Sequence, residues 1–87
     1  MQNLPLDDDK KPKERKAVLV GVGLDAKDDH VRVTKGRNFR LVGGSDETHH
    51  RMVGTAVKLN EKLRQRGKEL EDVEREEFSD LLHESME

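Results

Sequence analysis

Asn38-Phe39-Arg40-Leu41-Val42-Gly43-Gly44-Ser45-Asp46-Glu47-Thr48-His49-His50 is the stretch from which the fold is read. Asn38 to Val42 form a short apolar strand, Gly43-Gly44-Ser45 a turn, and a helix pattern runs from Asp46 to about Arg66. Ser45 suits the N-cap, Asp46 and Glu47 suit the positive helix start, and Lys62, Arg64 and Arg66 suit its negative end. Gly67 fits the left-handed position that stops a helix. Met52, Ala56, Leu59 and Leu63, widened by Val53, make one apolar stripe to face a sheet. Gly54 costs about 1 kcal/mol relative to alanine within a helix, which marks it for close packing.

Upstream, Ala17-Val18-Leu19-Val20-Gly21-Val22-Gly23-Leu24 reads as a strand with an apolar valine face and a nearly bare glycine face. Glycines weaken a strand unless a backbone, helix or ligand approaches closely. The pair lacks the third glycine and following helix of a dinucleotide fingerprint. Asp25-Ala26-Lys27-Asp28-Asp29 is a polar turn without calcium-loop spacing. His30 to Thr34 read as a further strand, joined to Asn38 to Val42 through Lys35-Gly36-Arg37. Sharing a buried face between Val33 and Phe39 sets Thr34 opposite Asn38. It also sets Arg32 opposite Arg40 on the outer face, where like charges call for an acid from the C-terminal segment or a bound anion.

Downstream, Leu70 and Val73 anchor a connector, and Arg75 to Ser85 read as a second helix. Val73 and Phe78 make a hydrophobic staple across Glu74. Phe78, Leu81, Leu82 and Met86 supply its apolar face. The expected class is α+β: a three-stranded antiparallel β-meander followed by two helices packed on the sheet, in the order β-β-β-α-α. Residues 1–16 read as a disordered charged arm and residues 17–87 as a single small domain.

The chain has 87 residues, of which 31% are hydrophobic and 41% charged, so its core is small and a partner or second copy would relieve marginal stability. Phe39 and Phe78 are its only aromatics. The absence of cysteine removes disulfides, thiol catalysis and zinc–thiolate sites. Without an apolar run of membrane-spanning length or a signal-peptide pattern, a cytoplasmic protein with no membrane contact is expected.

A net charge of −2 hides an asymmetry. Residues 10–40 carry ten Lys/Arg against four acids, and residues 69–87 carry nine acids against Arg75 alone. Such ends attract within one molecule or between copies. The candidate anion or nucleic-acid site comprises Arg32, Lys35, Arg37, Arg40, Gly43, Gly44 and Ser45, because glycine-flanked amides at a helix start receive anions. Exposed aromatics for stacking on bases are missing. Adjacent His49 and His50 point to different helix faces, and Asp46 with His50 supplies two ligands at most, so no metal or cofactor is expected. No catalytic constellation stands out. The expectation is a non-enzymatic module for protein–protein contact or homo-oligomerisation, with anion or nucleic-acid binding as the alternative.

Overall fold

The computed structural model describes residues 16–87. The expectation of a disordered arm over residues 1–16 falls, apart from Lys16, outside the described residues. The chain forms β1 (Leu19–Gly23), β2 (Val33–Lys35), β3 (Phe39–Gly43), α1 (Asp46–Gln65), a 3-10 turn (Leu70–Asp72) and α2 (Arg75–Ser85). This is an α+β fold in the expected element order.

The sheet is not a meander. Its strand order is β1-β3-β2, with β1 parallel to β3 and β2 antiparallel to it. A tight hairpin would have made β1 and β2 neighbours. Instead the long 24–32 segment carries the chain past the end of β3, which then returns between the two earlier strands. The β2–β3 register also differs from expectation: Thr34 lies opposite Leu41, Val33 opposite Val42, and Lys35 opposite Arg40. Val33 therefore faces outward and Thr34 inward. The like-charge pair is Lys35 with Arg40 rather than Arg32 with Arg40.

The glycine face carries the helices. Leu19, Gly21 and Gly23 alternate as the more buried positions of β1, while Val20 and Val22 face solvent. A methyl group on Gly21 would meet Leu41 Cδ2 at 2.9 Å and Met52 Sδ at 3.2 Å. One on Gly23 would meet the backbone of Gly44 at 2.5 Å. The glycines thus let α1 and its leading turn lie close on β1, as bare strand positions permit.

The core lies between this face and the helices. Leu59, Leu63, Leu70 and Leu81 form a buried cluster, with Ala17, Leu19, Val73 and Phe78 packed around it. Leu41 and Ala56 are buried where β3 meets α1. Lys68 N–H donates to the Leu63 carbonyl and Gly67 N–H to that of Arg64, closing α1 in a Schellman motif with Gly67 at φ +67. Asn38 and Asn60 exchange side-chain amide bonds of 2.7 and 3.0 Å, fixing the start of β3 against α1.

Gly54 does not mark close packing. A methyl group there would touch nothing within 4 Å. Gly54→Ala is therefore expected to raise stability by about 0.5–1 kcal/mol through helix propensity. A higher urea midpoint with unchanged slope is the expected reading, and a lower midpoint would reveal a clash that the geometry does not contain.

Candidate functional site

The parallel pair β1–β3 delivers both chain ends to the start of α1. Gly43 and Gly44 take φ values of +82 and +85, which turn the backbone sharply into the Ser45 cap. The Thr48 N–H donates to Ser45 Oγ at 3.2 Å. The place an external anion would take at this helix start is held by the chain's own Asp25. Its carboxylate accepts from Ser45 N–H at 2.8 Å, Ser45 Oγ–H at 3.1 Å and Thr48 Oγ1–H at 2.6 Å. The Thr48 hydroxyl first, then the Ser45 backbone donor, lower the Asp25 pKa from 3.8 to about 2.

Asp25 stays charged in the fold at pH values where the unfolded chain binds a proton. Its stabilising effect is fully present above 3.8 and is lost as pH falls from 3.8 to about 2. Chemical denaturation midpoints across that window should therefore fall more steeply for the natural chain than for Asp25→Asn. Parallel curves would remove Asp25 as the group responsible.

Arg32 closes the other side of the turn. Its guanidinium donates to the Gly44 carbonyl at 3.2 Å and to Asp28 Oδ2 at 3.1 Å, with Asp46 Oδ1 at 3.7 Å. The Arg32 hydrogen bond holds the Asp28 carboxyl below its ordinary range. The acids around Arg32 thus come from the 24–32 segment and the helix start, rather than from the C-terminal segment.

His49 sits behind this turn, 7% exposed. Nδ1 lies 2.9 Å from the Gly43 carbonyl and Nε2 2.8 Å from Thr34 Oγ1. A carbonyl only accepts, so Nδ1 carries a hydrogen and donates it; in the neutral ring Nε2 accepts from the threonine hydroxyl. Both ring nitrogens are engaged in tying β2, β3 and α1 together. His50 is exposed, with Nδ1 on the Asp46 carbonyl at 3.0 Å.

Compared with protein-family models, curated proteins and solved structures, the chain matches none.

Of the seven candidate residues, Gly43, Gly44, Ser45 and Arg32 come together at the turn. Lys35 and Arg40 pair across strands on the outer face, roughly 10 Å further back along β3. Arg40 donates to the carbonyls of Gly36 and Phe39 at 2.7 and 2.8 Å. Arg37 reaches Glu69 Oε1 at 2.9 Å. The acidic α2 turns towards the basic end of α1: Glu77 holds Arg66 at 3.0 Å and Lys68 at 2.8 Å, and Glu84 lies 3.6 Å from Lys62. Exposed pairs of this kind add little stability each, but they orient α2. Among the described residues, no three His, Asp or Glu side chains gather as metal ligands, and no helix is long and apolar enough to cross a membrane.

Among the described residues, the outer face of the sheet is apolar and exposed. Val20, Val22 and Val33 are 62, 61 and 54% exposed, and Val42 lies beside them on the outer face of the sheet. Val18, Leu24 and Val31 are exposed as well. Two open depressions, of about 440 and 310 Å³, flank β1 and share Leu19 and Val20 in their walls. Residues Asp25 and His49 were not singled out as site residues from sequence. His49 had a signal, since it extends the spacing of Met52, Ala56 and Leu59 by one step towards the N-terminus. Asp25 had none, because its partners lie 20 and 23 residues away.

Proposed function

We propose that this chain is a non-catalytic docking module whose working surface is the uncovered valine side of its sheet together with the β1 edge. The observation that carries the reading is the outward set Val20, Val22, Val33 and Val42 on a sheet whose other face is covered by helices. A contiguous apolar face on a chain with so few apolar residues marks a surface meant for a partner. The occupied state of the helix start supports the same reading: Asp25 takes the donors that a phosphate would need, and Arg32 is matched by Asp28 and Asp46. His49, the one buried histidine, spends both ring nitrogens on the fold. Lys35 and Arg40 at the margin favour an acidic rim on the partner.

The test compares the natural chain with Val20→Lys/Val22→Lys, which leaves the core untouched. Self-association and quantitative capture of cellular proteins are measured side by side, with anisotropy of a short labelled RNA at low and moderate salt. Association lost in the variant supports docking. Equal behaviour of both proteins overturns it. Steeply salt-dependent RNA binding that Arg37→Ala/Arg40→Ala removes would replace it with the nucleic-acid reading.

A further inference from the structure

β1 is an edge strand with unusual properties. The Leu19 N–H donates to the Asn38 carbonyl at 2.8 Å, which directs Leu19, Gly21 and Gly23 towards β3 in the parallel ladder. Strand alternation then turns the N–H and C=O groups of Val20 and Val22 to the open side. Natural edge strands are blunted by lysine, proline, a bulge or brevity. The opposite edge, β2, is blunted: it has three residues and carries Lys35. From Ala17 to Leu24 no residue is charged and none is proline, in a chain that is 41% charged.

The spacing along β1 is also self-complementary. With Gly21 on a two-fold axis, antiparallel pairing sets Val20 opposite Val22 and Val18 opposite Leu24 of the second copy. Val20 and Val22 are the residues whose backbone groups point to the open edge, so they become the hydrogen-bonded pairs of that ladder. Branched aliphatic side chains then meet across the junction on the outer face. On the inner face Gly21 meets Gly21 of the second copy, where no side chains crowd the axis. The 440 Å³ depression beside Gly21, walled by Met52, Leu82 and Met86, would then face its counterpart across that glycine pair.

We propose that β1 pairs antiparallel with β1 of a second copy about a two-fold axis at Gly21, giving a closed six-stranded sheet in the order β2-β3-β1-β1-β3-β2. The proposal rests on the docking reading and names the partner for its edge. Two-fold pairing consumes both open edges and leaves only the lysine-bearing β2 strands outside, which limits the assembly to a dimer. The two depressions give the flanking helices of each copy somewhere to pack, as a strand pair alone is short of the roughly 800 Å² per partner of a stable interface.

The experiment is sedimentation equilibrium of the full chain over a concentration series, joined to isotope-filtered NOE spectra of a mixed labelled and unlabelled sample. The expected results are twice the monomer mass and an intermolecular contact from Leu19 Hα to Gly23 Hα. Val22→Pro removes one open-edge donor without touching the β3 ladder and should weaken dimerisation on the order of tenfold or more. Glu61→Lys, at an exposed position of α1 outside both depressions, should leave it unchanged. If Val22→Pro fails to fold by circular dichroism, Val20→Lys/Val22→Lys replaces it, because it sets lysine opposite lysine twice. A dimer broken by Val33→Lys/Val42→Lys and not by the edge variants would mean face-to-face association and overturns the proposal. A monomeric chain that still loses captured partners in Val20→Lys/Val22→Lys overturns self-pairing and leaves docking standing. A chain equal to that variant in mass and in capture overturns both.

Discussion

Gly23→Ala is expected to cost about 3 kcal/mol, whereas Val22→Lys next to it should cost less than about 0.5 kcal/mol in the dilute monomer. Hydrophobicity alone would order them the other way. A methyl on Gly23 points into the helix side of the sheet and would meet Gly44 Cα at 2.5 Å and Gly44 N at 2.8 Å. Both are backbone atoms, so no rotamer change relieves the contact. Moving Gly44 away would disturb the turn that seats Ser45 on Asp25 and Arg32 on the Gly44 carbonyl. Val22, in contrast, is 61% exposed. Its replacement by lysine removes little buried area and places the ammonium in water. Urea denaturation of both variants provides the check, and comparable losses would mean that the strand faces are assigned the wrong way round.

Leu81→Ala is expected to remove about 3 kcal/mol, or roughly 15 °C of Tm for a domain of this size. Leu81 is fully buried and meets Leu59, Leu63 and Leu70, so its loss opens a void where α2, α1 and the connector join. The cost falls mainly on α2. This helix has 11 residues, too short to persist in water without docking. Its other ties include Phe78 against the same leucine cluster, the buried Ser85, and the ion pairs of Glu77 and Glu84. Loss of helical circular dichroism at temperatures where the sheet remains would show α2 detaching first. The neighbouring Leu82→Ala, at a half-buried position on the edge of the 440 Å³ depression, should cost clearly less.

The local elements were legible because their signals are local. Ser45 caps α1 through a contact three residues away, Gly67 stops it, and Val73 and Phe78, five residues apart around the α2 start, both pack on the leucine core. The order of strands was not legible. Nothing in residues 17–42 distinguishes a hairpin from a crossing of β3 between β1 and β2, since both satisfy the same alternation. The face of β1 was equally hidden. An apolar face and a bare face are both visible in Val18 to Leu24, but which is buried depends on how near α1 comes. Closeness of backbone, rather than hydrophobicity, decided it here. The candidate anion site was legible as a donor cluster, and Asp25 was invisible as its occupant because the contact is tertiary.

The sheet is one-sided, with its valines left uncovered. Methyl relaxation in a dilute sample containing a soluble paramagnetic agent tests this most directly. Strong enhancement is expected at Val20, Val22, Val33 and Val42, with Leu41, Leu59 and Leu81 spared. Protected valines alongside an enhanced Leu41 would mean that the helices cover the valine face instead.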